Sequence, residues 1–292
     1  MSGATAGSPR SEPPASRGPH APGFVPNLAR RVLTALVALP ALVALLLFAP
    51  PSLAVALIAS ALAVGLFEFF GLLRARGIRP LHGVGFLLAA ALFLDVASPG
   101  LLALPLAPLG ALVLLTGTLR RGGDLESVSA AAATLLGVVY LGALGGSIAA
   151  LRLLPPVEEG AWRLLLLLVT VMASDTMAFF VGHALGRHPL APTISPAKSV
   201  EGALGGLVGG VLGALAVRHM GLPELPLGHA VALGAAVAAM GIVGDLEESL
   251  FKRWAGVKDS GTLLPGRGGM LDRLDGLLFG APLLYYYFEY AR

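Results

Sequence analysis

The chain has 292 residues, 56% of them hydrophobic and only 13% charged, with a formal net charge of +3 and no cysteine. A soluble domain carries about 25% charged residues, so the composition excludes an ordinary soluble enzyme. It also excludes disulfides and thiolate metal sites, and so small a net charge gives no reason to expect nucleic acid as a partner.

Residues 1–27 are rich in Pro, Ser, Gly and Ala without apolar periodicity, which predicts a disordered cytoplasmic tail. Beyond it, apolar runs of ~18 residues or more recur, the length a helix needs to cross a bilayer. The runs are continuous rather than alternating. That argues against a β-barrel and for an all-α, polytopic membrane bundle. About nine transmembrane helices are expected, at 32–49, 52–72, 82–98, 101–118, 128–151, 162–185, 201–218, 227–250 and 274–290. The first follows Arg30-Arg31 and is read as a retained helix, since many spans follow and no clear cleavage site does. The third and fourth are short and are interrupted by Pro99, Pro105 and Pro108. Pro50-Pro51, Pro155-Pro156 and Pro223 with Pro226 mark tight loops. We divide the spans into an N-terminal transmembrane region, 28–160, and a C-terminal catalytic transmembrane region, 161–292.

Lys and Arg set the expected orientation. With the N-terminus in the cytoplasm, that side receives Arg10, Arg17, Arg30, Arg31, Arg74, Arg76, Arg79, Arg120, Arg121, Arg187, Lys198, Lys252, Arg253, Lys258, Arg267 and Arg273. The other side receives only Arg152, Arg163, Arg218 and Arg292 of the 20 basic residues. The polar loops after the sixth and eighth spans then face the compartment where nucleotides are found. The Ala-, Arg-, Gly- and Pro-heavy usage suggests a bacterial inner membrane.

The seventh span carries Gly202, Gly206 and Gly210, and also Gly205, Gly209 and Gly213. A spacing of four lets helix backbones approach closely in lipid, and it would also permit a homodimer. A phosphate-binding glycine loop is disfavoured, because the Lys-Ser/Thr ending of a P-loop is missing.

Chemistry concentrates near the C-terminus. On a helix that continues past the eighth span, Asp245, Ser249 and Lys252 fall at i, i+4 and i+7 on one face, flanked by Glu248 and Arg253. An acid, a hydroxyl and a cation on one stripe suit a phosphate–metal site, although a solvated helix end would look similar. After the turn Gly266-Arg267-Gly268-Gly269, Asp272 and Asp275 follow at i, i+3. Acids there also gain ~0.3–1 kcal/mol from the helix dipole, the structural reading of the pair. The functional reading has Asp272 meeting Asp245 across the bundle, two carboxylates whose repulsion a magnesium ion would relieve. A second polar stretch holds Ser174-Asp175-Thr176 inside the sixth span, then Ser195, Lys198, Ser199 and Glu201 at the mouth of the seventh. An acid as deep as Asp175 is costly and should face the bundle interior; Ser195 or Ser199 could simply cap a helix. Glu68 and Asp95, near span ends, are read as structural, with Glu68 pairing with Arg74 or Arg76. His183 and His188 lack the spacing of a zinc site.

Ser249, Lys252, Arg253, Lys258, Asp259, Pro265, Gly268, Gly269, Asp272, Arg273 and Asp275 together resemble the C-terminal signature of the phosphatidate cytidylyltransferase (CDP-diacylglycerol synthase) family. Ser174-Asp175-Thr176 and Ile194–Gly202 resemble that family's other polar block. The resemblance covers 150–292 by motif and the earlier spans by hydropathy alone. It departs at Arg267, where the family usually has His. It implies an enzyme, a nucleotidyltransferase of phospholipid biosynthesis that joins CTP and phosphatidate into CDP-diacylglycerol and pyrophosphate. Magnesium is the implied cofactor, with room for a second, monovalent cation. Asp245 and Asp272 would bind metal, with Asp275 and Ser249 as their partners. Lys252, Arg253, Lys258 and Arg273 would clamp phosphates, Asp259 would orient one of those cations, and Asp175, Lys198, Glu201 and Arg267 would line the substrate cavity beside membrane lipid. Two rival readings stand beside it: a CTP-dependent polyprenol kinase, which would release CDP instead of pyrophosphate, and a multi-spanning transporter, which would leave the charged C-terminal loop without a purpose.

Overall fold

Apolar runs punctuated by proline and glycine become helices in the computed structural model, which describes residues 40–101, 106–120, 122, 124–261 and 268–291. The predicted tail, most of the first span, and the loop residues 262–267 with Arg267 lie outside the described residues. The helical bundle is one compact unit, 44–292.

In chain order the helices are α1 (Pro51–Ala75), α2 (His82–Ala97), α3 (Leu106–Arg120), α4 (Leu125–Leu153), α5 (Gly160–Leu185), α6 (Val200–Gly221), α7 (Leu227–Ala255) and α8 (Leu271–Tyr290). They fall on eight of the expected spans. Among the described residues, five helical stretches are long and apolar enough to cross a membrane: α1, α4, α5 with its leading turn, α6 and α7. Helix α2 and residues 108–119 of α3 are shorter apolar helices, and α8 is not among the five. The all-α expectation needs one amendment. A two-stranded antiparallel hairpin, β1 (Pro189–Ala191) and β2 (Ser195–Ser199), joins α5 to α6, with Pro189 opposite Ser199 and Ala191 opposite Ser195.

Local chemistry explains the helix ends. Pro51 opens α1 at a position where its missing N–H costs nothing. Asp124 caps α4, accepting from Ser127 N–H at 2.8 Å, and Ser199 caps α6, accepting from Gly202 N–H at 3.1 Å. Of the two candidate serines, Ser199 therefore has the capping role. Helix α7 runs on past the apolar stretch and stops at Gly256, whose φ of 76° is left-handed.

Packing follows the small residues. The six spaced glycines of α6, Gly202, Gly205, Gly206, Gly209, Gly210 and Gly213, are buried. A Cβ on Gly209 would run into Met177 and one on Gly205 into Val181, both on α5, while one on Gly210 would meet the Gly234 carbonyl of α7 at 3.0 Å. Helix α6 is therefore wedged between α5 and α7, the helix-packing role expected of its glycines. Helix α4 contains a π-helical stretch, Val138–Ala143. Its Gly142 and Gly146 abut α2, and its Gly145 abuts Leu62 of α1. Helix α8 packs against α7, α4, α5 and α1.

Candidate active site

The charge-rich end of the bundle is built from the last turns of α7, the first turns of α8, the β1–β2 hairpin and the end of α1. Because α7 stays helical to Ala255, Asp245, Glu248 and Lys252 follow one another along one side of it. Helix α8 is pressed onto this side. A Cβ on Gly244 would collide with the Asp275 backbone carbonyl, and one on Gly276 would lie 3.5 Å from the Gly241 Cα. That contact turns Asp275 towards α7. Asp245, Glu248 and Asp275 each bring a carboxylate oxygen within 4.8 Å of the others, a grouping able to hold a metal ion.

Cations interleave with these acids. Lys252 Nζ donates to Glu248 Oε2 at 2.8 Å and to Asp272 Oδ1 at 2.6 Å. Lys198, carried by β2, forms an ion pair with Asp245. Glu248 is 1% exposed, and its Oε1 has no hydrogen-bond partner among the described residues. Asp272 is held from its other side, where Oδ2 accepts from Gly269 N–H at 2.6 Å and from Ser260 Oγ–H at 3.0 Å. Tyr140, in the π-helical stretch, packs edge-on against Phe279 and tilted against Phe251, and its buried hydroxyl finds no partner among the described residues.

Beside this cluster opens a cleft of about 690 Å³ lined in part by Asp175, Phe179, His183, Ser195, Lys198 and Asp245. Lys198 borders the cleft and pairs with Asp245, which belongs to both the cleft and the acidic group, so the two are continuous. Asp175 is exposed to this cleft, which runs into the bundle between α5, α6 and α7.

The expected site residues fall into three groups. Asp175, Lys198, Asp245, Lys252, Asp272 and Asp275 are brought together. Glu201 is turned to the hairpin base instead, where it accepts from Arg187 N–H at 3.1 Å and pairs with the His188 ring. Arg253 donates to the Ile194 carbonyl at 3.4 Å. Lys258, Asp259 and Arg273 are exposed and Ser249 is half-buried. Arg267 is outside the described residues. The anticipated Asp245–Asp272 meeting is replaced: Asp275 joins Asp245, and Asp272 is taken by Lys252. Glu248, expected only to flank the stripe, stands inside the cluster, and its spacing of i+3 from Asp245 is the signal that could have placed it there. Glu68 pairs with neither Arg74 nor Arg76. Arg74 lies over the Phe67 ring, 5.6 Å from its centroid, and Arg76 donates to the Trp254 carbonyl.

Comparison with known proteins adds an independent line. Residues 29–291 match the profile of the family described as "Cytidylyltransferase family". The chain is 34% identical to the phosphatidate cytidylyltransferase of Synechocystis over 80% of this chain and 87% of that one. It is 39% identical to that of Haemophilus influenzae over 46% of this chain and 48% of the relative, and 47% identical to that of Helicobacter pylori over 44% and 49%. In the last two, the match spans about half the relative's length. The profile over nearly the whole chain and the Synechocystis match together make this chain a member of the cytidylyltransferase family.

Proposed function

We propose that the protein is a phosphatidate cytidylyltransferase: it joins CTP and phosphatidate to give CDP-diacylglycerol and pyrophosphate. The observation that carries this reading is a carboxylate cluster interleaved with lysines at the mouth of a cleft, in a chain of this family.

An oxygen of the lipid phosphate attacks the α-phosphorus of CTP. A new P–O bond forms, the bond from that phosphorus to the α,β-bridging oxygen breaks, and pyrophosphate leaves with the electron pair. A phosphate monoester is already anionic at neutral pH, so little general-base help is needed. The obstacle is bringing two polyanions together in line, and positioning plus fixed positive charge supplies most of the catalysis in such transfers. Lys252 and Lys198 are held at the cluster by carboxylates, ready to exchange one anionic partner for another. Arg253, Lys258 and Arg273 would clamp phosphates, with Asp259 orienting one of those cations and with Ser249 and Arg267 contributing further contacts. Glu201 would act indirectly, by holding the hairpin that carries Lys198.

The donor set fits magnesium. It is all hard oxygen, its members repel one another, and the Glu248 Oε1 atom is buried with no hydrogen donor among the described residues. Asp245 and Asp275 with Glu248 would hold the ion, Asp272 standing next to them on Lys252, and a monovalent second ion would have the remaining oxygens. When bound, the ion neutralises developing charge on the phosphates. We place the site on the cytoplasmic face of a bacterial inner membrane, on the support of the Lys and Arg distribution along the chain. The α6 glycines are taken up by packing within the chain, so a homodimer, also open to test, would use another face.

Radiolabelled CTP with phosphatidate and magnesium tests the reading. Label should enter the lipid fraction as pyrophosphate is released, and Asp245→Ala or Asp272→Ala should abolish both while the protein still accumulates. Release of CDP instead, with a phosphorylated lipid, would replace this function by a kinase; normal turnover by either variant would remove that residue from the site.

A further inference from the structure

Glu68 lies on α1, far in sequence from every residue given a part in the chemistry. It is 6% exposed, and a carboxylate is expensive to bury unless donors meet it. The donors come from the other end of the chain. Glu68 Oε2 accepts from Leu271 N–H at 2.9 Å and from Ser260 Oγ–H at 3.2 Å. Leu271 is the first residue of α8, whose preceding residue Met270 provides no side-chain cap. Glu68 thus places an acid on a first-turn N–H at the positive end of α8, doing from a distance what a capping side chain does locally. The Ser260 hydroxyl lies 3.0 Å from Asp272 Oδ2 as well, so the two carboxylates share its single proton and one serine stands between Glu68 and Asp272.

The surrounding backbone is shaped to admit this carboxylate. A Cβ on Gly269 or on Gly261 would collide with the Glu68 side chain, and Gly268 takes a left-handed φ of 79°. Gly261 and Gly269 therefore make room for an acid arriving from α1, while Gly268 makes the turn. Helix α1 grips the other wall of the site too: Phe69 packs edge-on against Phe251 at 5.2 Å, and Arg76 holds the Trp254 carbonyl, both on α7.

We infer that Glu68 is a positioning residue, which fixes the start of α8 and, through Ser260, the carboxylate of Asp272 against the acidic end of α7. For its activity readout the inference rests on the proposed cytidylyl transfer; its structural readout does not.

The test uses the full chain in lipid nanodiscs, with Glu68→Ala, Glu68→Gln and Ser260→Ala compared with wild type by amide hydrogen exchange over 258–275 and by kcat and KM for CTP and phosphatidate. Displacement of a reacting group by ~1 Å costs about 100-fold. Glu68→Ala should therefore lower kcat by about tenfold to 100-fold, with both KM values within about twofold, and should speed exchange at Leu271 by about tenfold or more. Glu68→Gln keeps one carbonyl oxygen for both donors and should recover the protection and most of the kcat. Ser260→Ala should lower kcat while leaving Leu271 protected. A merely space-filling Glu68 would give fewer folded molecules with unchanged kcat and exchange, and that result overturns the inference, as does a Gln variant no better than Ala. If the Ala variant does not accumulate, Ser260→Ala decides alone: wild-type kcat in that variant overturns the link to Asp272. A wild-type chain without cytidylyl transfer would sink the functional reading, and the exchange data would still decide whether Glu68 secures α8.

Discussion

The two ends of the helix bundle use basic residues in opposite ways. At the charge-poor end, arginines are spent on loop carbonyls. Arg163, 1% exposed, donates to the Leu154 and Pro155 carbonyls and to Glu159 at 3.0 Å, with Phe288 under its guanidinium. Arg152 donates to the Val157 and Ala49 carbonyls, and Arg218 to those of Leu225 and Pro223. At the charge-rich end Arg76 and Arg253 each reach one carbonyl, but the lysines meet carboxylates instead, and those carboxylates also meet one another. An arginine that donates to two backbone carbonyls is a fastener. A lysine shared between two acids, beside a third and fourth, can trade partners when a phosphate arrives. The same kind of charge thus builds stability at one end of the bundle and reactivity at the other, according to what it is paired with.

Asp275→Asn puts the largest strain on this contrast. It is close to isosteric, and Oδ1 can still accept from Gly276 N–H, now at 2.7 Å. It removes one negative charge from the cluster of three carboxylates. Cytidylyl transfer should fall about 10³-fold or more, comparable to the loss of a principal electrostatic group in other enzymes. Detergent-solubilised protein should melt at or above the wild-type temperature, because mutual repulsion is relieved. A stability loss with activity retained would make Asp275 a fastener like the arginines opposite.

Arg163→Met asks the converse question of the other end. Breaking a buried, hydrogen-bonded ion pair costs about 3–5 kcal/mol. Glu159 is partly exposed, so the lower part of that range is expected, seen as reduced accumulation and a lower Tm in detergent. Turnover per folded molecule should stay within about twofold, since a local misplacement at Arg163 does not reach the reacting groups across the bundle. A selective drop in kcat would show that the two ends are coupled through α5 and α8, and the division into fasteners and exchangeable cations would fail.

How far these roles can be read from sequence depends on how local each one is. The helices of the bundle are legible because crossing a membrane demands long apolar runs, and the extension of α7 to Ala255 because no breaker intervenes before Gly256. Asp245 and Lys252 on one face of α7 follow from helical spacing alone. Which acid of α8 meets them does not. Asp272 and Asp275 are nearly equivalent in sequence, and the choice rests on the rotation of α8, set where Gly244 admits the Asp275 backbone and Gly276 nears Gly241. The β1–β2 hairpin escapes a sequence reading because its strands are short and each contains a proline, with none of the sustained alternation that signals a strand. Local rules pair Glu68 with nearby arginines, whereas its true partners lie about two hundred residues away, beyond the reach of any such rule.

The smallest expected effect belongs to a charge that serves neither end's special purpose. Asp124 caps α4, and its hydrogen bonds from Ser127, side chain first and backbone second, hold its carboxyl below the usual aspartate range. The folded state therefore favours the ionised form. Its contribution is fully present above the ordinary aspartate pKa of about 4 and is lost as pH falls through the lower folded value. Asp124→Ala should lower Tm by about 1–2 °C at neutral pH, a difference that closes on acidification, whereas Asp124→Asn, also a good cap, should melt close to wild type at neutral pH. Both should turn over normally, because the residue touches neither the cluster nor the cleft. A Tm difference between Ala and wild type that does not shrink at all as pH falls far below the ordinary aspartate range would mean that the acid acts by filling space, and the cap would then owe nothing to its charge.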